Sequence, residues 1–200
     1  MPSDTFHDGS RYLQDQFATR RLADRLDEVT VHAAFSEGDR AFITGSSMFF
    51  LATADAAGRP DCSYKGGRPG FVQVVDDRTI AFPDYDGNGT FRSLGNIRVN
   101  PHVGLLFIDF QHPDRMRLNG TATIHDDDPL LESLDGAQLI VRVRAEQIFP
   151  NCPRYIHRME LVEESVYAPR PAYDPPEPEW KSYDAFRDVV PVAGDPSEQA

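Results

Sequence analysis

A stretch in the middle of the chain combines three features of an anion-binding loop. The apolar residues Ala81 and Phe82 run into a turn at 83–89 that is rich in glycine, asparagine and aspartate. A segment predicted to be helical follows at 90–99 and contains threonine, arginine and serine.

 Glycine lets the backbone approach a ligand, a helix start offers unpaired N–H donors, and arginine supplies positive charge. We therefore expect this stretch to bind a phosphate group.

The loop does not match the two common nucleotide-binding motifs. Gly87 and Gly89 begin like a dinucleotide fingerprint, but the sixth position is Arg92 rather than glycine, and no strand–helix–strand unit surrounds the stretch. No Gly-Lys-Ser/Thr sequence ends the run, which excludes a P-loop. The alternative interpretation is an ordinary hairpin-to-helix loop capped by Asp86 or Asn88.

The composition limits the partners of such a site. The 200 residues carry a net charge of −12 and a pI near 4.8, which disfavours nucleic acid and anionic membranes as partners. An anionic ligand must therefore be bound by a local basic cluster. Lys65 and Lys181 are the two lysines of the chain, so a lysine at position 65 stands out.

The remaining composition indicates a globular protein of the cytoplasm. Hydrophobic residues make up 40% of the chain, no apolar run approaches the roughly 20 residues of a membrane span, and the acidic N-terminus does not resemble a signal peptide. Cys62 and Cys152 do not make a disulfide framework, and together with His157 they fit no standard zinc spacing. We therefore expect no metal site.

The elements that must position the loop are mostly short strands. Strands are predicted at 48–54, 61–65, 71–75, 79–82, 103–110, 115–124 and 137–149, with the last one near a sheet edge. Helices are predicted from Ser10 through Leu26, from Ser36 to Gly45, at 90–99 and briefly at 129–134, whereas 154–164 is ambiguous between helix and strand. Six or seven antiparallel strands with few helices between them favour a mainly β fold built as a small barrel.

The chain divides into three parts by this pattern. Residues 1–35 are expected to form a helical extension, 36–168 the barrel, and 169–200 a proline-rich extended strap. Trp180, Tyr183 and Phe186 are expected to attach the strap to the barrel or to a second subunit. The acidic run Asp126, Asp127 and Asp128 is expected to be a solvated loop that caps the helix at Pro129.

A linked set of short motifs resembles the pyridoxamine 5′-phosphate oxidase-like proteins. The resemblance covers about 42–124 and rests on the segments FLATA at 50–54, GRP at 58–60, SYKGG at 63–67, GFV at 70–72, DDRT at 76–79, PDYDGN at 83–88, SLGNI at 93–97, NP at 100–101, VGLLF at 103–107 and RLNG at 117–120. The family implies a split β-barrel homodimer that binds FMN at the subunit interface. Carried over to this chain, the cofactor-binding candidates are Ser63, Lys65, Asn88, Thr90, Arg92, Ser93, Asn96 and Arg117.

The resemblance also indicates which activity to expect. Trp180 is not followed by the Arg-Leu-His-type motif with which pyridoxamine-phosphate oxidases bind their substrate, so that reaction is not expected. The first hypothesis is an FMN-dependent oxidoreductase that acts on an unidentified small molecule, with NAD(P)H as a plausible reductant. The alternatives are a flavin-binding module for storage or sensing, and the same barrel with heme or a deazaflavin as its cofactor.

Overall fold

The computed structural model describes residues 5–191 and is built mainly from β-strands. Its helices are α1 (Asp8–Gln16), α2 (Arg20–Thr30), α3 (Glu37–Gly45) and α4 (Arg92–Val99), with short 3₁₀ helices at Pro129–Glu132 and Glu179–Ser182. Its strands are β1 (Met48–Ala54), β2 (Pro60–Gly66), β3 (Gln73–Val74), β4 (Thr79–Tyr85), β5 (His102–Asp109), β6 (Asp114–His125) and β7 (Ala137–Pro150). In this part of the chain, no helix is long and apolar enough to cross a membrane.

The strands form one antiparallel sheet in the order β2-β1-β5-β6-β7-β4-β3. The fold is a split β-barrel, as the resemblance implied. The prediction that β7 lies near an edge is wrong, because β7 pairs with β6 on one side and with β4 on the other. The polar Arg142 of β7 does not mark an edge, because it is covered by an ion pair with the buried Asp128.

One glycine allows the long β6–β7 pair to bend. The register shifts between Asn119 and Gly120, and a Cβ atom at Gly120 would lie 2.1 Å from the backbone oxygen of Arg144. No side chain fits at so short a distance, so glycine is required here by the close approach of the two backbones.

The core is an aromatic cluster between the strands. The ring of Phe49 lies 4.9 Å from that of Phe82, 5.1 Å from Phe107 and 5.9 Å from Phe71, measured between centroids. All four rings are buried. Because side chains alternate along a strand, the residues of β1 and β2 that point the same way as Phe49 face this core.

The N-terminal region differs from its prediction in one respect. A single helix was expected from Ser10, but α1 and α2 are separated at 17–19, where Ala18 has φ 54°. His7, rather than Ser10, caps α1. The expected start of α3 is confirmed, since Ser36 and Asp39 form a reciprocal capping box.

Three other segments also differ from expectation. Strand β3 is only two residues long, whereas β4 continues through Pro83 to Tyr85 and so includes residues that were assigned to the loop. Residues 154–164 form neither helix nor strand. Asp128 caps the 3₁₀ helix as expected but is buried rather than solvated.

An ion pair links the strap to the loop ahead of α4. Lys181 Nζ lies 2.7 Å from Asp86 Oδ2, while Trp180 packs edge-to-face on Phe186 at 6.1 Å within the strap itself. Tyr183 and Phe186 are about half exposed. The predicted strap extends to residue 200, and 192–200 lie outside the described residues.

Candidate functional site

Strand β2 presents three polar side chains to the inside of the sheet. Asp61, Ser63 and Lys65 alternate with the exposed Cys62 and Tyr64, and they pair in register with inward-facing positions of β1. This alternation is dictated by the strand, whose successive side chains point to opposite faces. The predicted pair Ser63 and Lys65 therefore shares one face, together with Asp61, whose contribution the sequence analysis missed.

Ser63 meets the start of α4 through a chain of hydrogen bonds. Ser63 Oγ lies 3.0 Å from Ser93 Oγ, and Ser93 Oγ donates to Asp61 Oδ2 at 3.3 Å. Ser93 is buried, with 6% of its surface exposed. The two segments that the sequence analysis paired, 63–67 and the loop ahead of α4, are thus in direct contact.

Lys65 forms an ion pair with the end of β4. Its Nζ donates to Asp84 Oδ1 at 3.3 Å, and the two side chains are 21% and 10% exposed. Asp84 was also missed, because the sequence analysis began the loop at Pro83. Strand alternation across β4 would have placed Asp84 on the same inner face as Phe82.

The loop itself turns sharply before the helix begins. Asn88 Oδ1 accepts hydrogen bonds from the backbone N–H and the hydroxyl of Thr90, while Gly89 and Phe91 have φ values of 71° and 46°. Asn88 therefore stabilises the turn rather than capping the helix. The predicted helix start at Thr90 is wrong by two residues, because α4 begins at Arg92.

The first turn of α4 is well suited to accept an anion. No side chain caps the helix, and within residues 5–191 the N–H groups of Arg92, Ser93 and Leu94 have no hydrogen-bond acceptor. The Arg92 side chain is exposed and forms no ion pair in the same part of the chain. These N–H groups and the guanidinium are donors that an anionic ligand would satisfy. We call Asp61, Ser63, Lys65, Asp84 and this first turn the cradle.

Two predicted residues lie elsewhere. Asn96 Nδ2 donates to Thr53 Oγ1 at 3.0 Å, so its amide fixes α4 against β1. Arg117 pairs in register with Leu106 and Phe149 on the outer face of the sheet, opposite to the face of Ser63. Within one chain, Arg117 is therefore not part of the cradle.

Neither of two cavities in the structure is lined by Ser63 or Lys65. One of about 280 Å³ lies between α4 and the end of β6, and a second of about 550 Å³ is lined by Arg68, Tyr85, Glu164 and Arg170 among others. Burial, with a smaller effect of the nearby Asp135 carboxylate, raises the pKa of Tyr85 to about 12. The Tyr85 phenol is thus a hydrogen-bond donor at neutral pH and not a base.

A metal centre is not apparent in the described chain. Among residues 5–191, no group of three or more His, Cys, Asp or Glu side chains is arranged to hold a metal ion. Cys62 and Cys152 are both exposed thiols. Hydrogen bonds from the Arg154 backbone and side chain hold the pKa of Cys152 below its ordinary value.

Several solved structures are similar to this chain. HupZ from Group A Streptococcus is 22% identical, with a TM-score of 0.47 over 58% of this chain and 93% of its own. An FMN-binding protein from Syntrophomonas wolfei is 12% identical (TM-score 0.47; 70% of this chain and 97% of its own), and the heme storage protein HutZ from Vibrio cholerae is 22% identical (TM-score 0.41; 58% and 94%). These similarities are too distant to carry a functional argument.

The sequence itself gives a clearer assignment. No curated protein matches the chain. By contrast, residues 35–163 match the model of a protein family described as pyridoxamine 5′-phosphate oxidase. These residues include all seven strands, α3, α4 and the whole cradle. The chain therefore belongs to the pyridoxamine 5′-phosphate oxidase family.

Proposed function

We propose that this chain is an FMN-dependent oxidoreductase that binds the flavin phosphate at the cradle and acts on a small molecule. One observation carries the proposal: the 3.0 Å contact between Ser63 and Ser93 brings Lys65, on β2, and Arg92, at the start of α4, to the same region. Two cations and a helix N-terminus are what a phosphate dianion requires in an acidic protein. The family membership supports the same cofactor.

The cradle contains hydrogen-bond donors that suit a phosphate. Lys65 keeps donor capacity beyond its single bond to Asp84, and Arg92 and the first-turn N–H groups are available. By contrast, Asp61 repels an anion. A phosphate would therefore be held by Lys65, Arg92 and the start of α4, and the bound flavin would supply the capacity to accept and donate a hydride.

The chain's own contribution would be binding and orientation. The Asn96–Thr53 bond and the Ser63–Ser93 contact hold α4 against β1 and β2, so the donors are preorganised before a ligand arrives. Within the described residues, the cradle offers no unpaired histidine or lysine as an acid or base. This is the pattern expected where the cofactor carries the chemistry.

A homodimer is part of the proposal. Phe50, Tyr64, Leu106 and Phe149 form a row on the outer face of the sheet, and Tyr64 is 62% exposed. Apolar surface of this kind is typical of a protein–protein contact. Arg117 lies within the row, so in a dimer through this face it is available to a flavin bound by the other copy.

A non-catalytic flavin module is the second candidate. It is favoured by two contacts, of Lys65 with Asp84 and of Asp61 with Ser93, because they occupy the side chains of the cradle that could otherwise transfer a proton. A location in the cytoplasm remains part of either proposal and is supported by the two unpaired thiols.

Three measurements test these functions. Purified protein mixed with FMN is expected to show the absorbance of a bound oxidised flavin, and mass spectrometry of the released cofactor identifies it. Sedimentation velocity reports the dimer. A protein that takes up no FMN contradicts both candidates, and bound heme or deazaflavin contradicts the choice of FMN.

Stopped-flow reduction separates the enzyme from the module. We expect NADPH or NADH to bleach the bound flavin and an added acceptor to restore it, over many cycles. A holoprotein that is reduced by neither nucleotide over minutes is instead a binding module.

A further inference from the structure

The hydrogen-bond chain of the cradle ends on a carboxylate that has no cation. Asp61 accepts from Ser93, which contacts Ser63, and among residues 5–191 Asp61 forms no ion pair. Asp84, by comparison, is neutralised by Lys65. A half-buried carboxylate at the centre of an anion site is unfavourable unless it binds something.

The hydrogen bonds that link Ser63, Ser93 and Asp61 have a fixed direction. A carboxylate only accepts hydrogen bonds, and each serine hydroxyl has one proton to donate. The Ser93 proton is used on Asp61, so the bond between the two hydroxyls must use the proton of Ser63. Both protons are then committed, and the groups left to a ligand are the lone pairs of Ser63 Oγ and the second oxygen of Asp61.

This part of the cradle therefore accepts hydrogen bonds and does not donate them. A phosphate dianion offers only acceptor oxygens and would face both lone pairs and a like charge here. An alcohol is the opposite case, because its proton can be donated to the carboxylate or to Ser63. The donors for a phosphate are a different set of groups: the Lys65 ammonium, the Arg92 guanidinium and the N–H groups at the start of α4.

We propose that Asp61 is a specificity-determining residue and that the Asp61–Ser93–Ser63 chain binds an alcohol group of the ligand. The inference rests on the proposed FMN binding, in which the alcohol is a hydroxyl of the ribityl chain and the phosphate is held by Lys65 and Arg92. It divides the cradle into an accepting half and a donating half. The Ser63 hydroxyl and the Asp61 carboxylate then contact the sugar alcohol and not the phosphate.

Three flavins that differ in their side chain test this division. Lumiflavin has no ribityl chain, riboflavin has the ribityl chain without phosphate, and FMN has both. The dissociation constant of each is measured by fluorescence quenching for the wild-type chain and for Asp61→Asn, which keeps the shape of the side chain. Glu132→Gln, at an exposed residue of the 3₁₀ helix, is the control for the loss of one negative charge.

We expect Asp61→Asn to weaken riboflavin binding roughly tenfold to hundredfold, the range for a hydrogen bond to a charged group. FMN binding is expected to weaken by a smaller factor, because removing the carboxylate charge also relieves its repulsion of the phosphate. Lumiflavin binding is expected to stay unchanged, as is the binding of all three flavins to Glu132→Gln. Ser63→Ala, which retains Asp61, is expected to weaken riboflavin and FMN binding by a smaller, equal factor and to leave lumiflavin binding unchanged. Thermal unfolding of each variant confirms that it is folded.

Other patterns overturn the inference in distinguishable ways. Tighter FMN binding by Asp61→Asn with unchanged riboflavin binding would mean that Asp61 opposes the phosphate instead. An equal loss for all three flavins would place its effect on the ring or on the fold. If the wild-type chain binds none of the three, the proposed function fails first and the inference fails with it.

Discussion

Replacing Lys65 by methionine tests the phosphate half of the cradle. Methionine preserves the length and apolar stem of the side chain but removes the ammonium group, which lies 3.3 Å from Asp84. Two effects on FMN binding follow from this geometry. The phosphate loses a charge-assisted hydrogen bond, and Asp84, at 10% side-chain exposure, is left as an unpaired negative charge beside it.

The two effects can be given magnitudes. A hydrogen bond to a charged group contributes about 1.5–3 kcal/mol. Two like charges about 6 Å apart repel by about 3 kcal/mol at an effective dielectric constant of about 20. Because screening reduces the second value, we expect Lys65→Met to weaken FMN binding by about 3–4 kcal/mol, and riboflavin binding by less than about 1 kcal/mol.

A second variant separates the two contributions. Lys65→Met combined with Asp84→Asn removes the unpaired carboxylate, so FMN binding is expected to recover by about 1–2 kcal/mol relative to Lys65→Met alone. Isothermal calorimetry provides the five affinities needed: FMN and riboflavin for the wild type and for Lys65→Met, and FMN for the double variant. Two results would refute this prediction: an equal loss of riboflavin and FMN affinity in Lys65→Met, or no recovery of FMN affinity when Asp84→Asn is added.

Two further predictions concern the barrel that carries the site. Arg142→Met leaves Asp128, with a side chain 3% exposed, without its cation and is expected to lower the free energy of unfolding by about 3–5 kcal/mol in chemical denaturation. The hydrogen bond from Arg142 holds the pKa of Asp128 below its ordinary value, so this stabilisation is present above about pH 4 and is lost as the pH falls. The difference between wild type and variant should therefore narrow in acid, and a constant difference down to pH 2 would contradict this. Gly120→Ala places a Cβ atom 2.1 Å from the Arg144 backbone oxygen and forces β6 and β7 apart, so it should lower the free energy of unfolding by several kcal/mol. Gly45→Ala is the control and should be close to neutral, because a Cβ atom there has no other atom within 4 Å. Equal melting temperatures for the two variants would show that the bend tolerates a side chain.

The local elements were largely predictable from the sequence. The bounds of β1 were predicted to the residue, and the capping box at Ser36 gave the start of α3. Such signals succeed because strand alternation and helix capping depend on residues only a few positions apart. The same alternation placed Ser63 and Lys65 on one face of β2, which is half of the candidate site.

The order of the strands was not predictable in the same way. The polar pattern of β7 suggested an edge, yet β7 is central because Arg142 finds a buried partner in Asp128. The outer position of Arg117 was also not predictable from the sequence. The alternation of a strand shows which residues share a face, but it does not show whether that face points into the barrel or out of it.

The sequence by itself determined the family, the strand pattern and the two cations that a phosphate would need. Only the tertiary structure decided what surrounds those cations, because Lys65 meets Asp84, and Ser93 meets Asp61, across 19 and 32 positions of the chain. Contacts over such separations depend on register and strand order, which no local pattern encodes. They divide a cradle for which the sequence predicted cations and neutral polar groups into a set of donors and a set of acceptors.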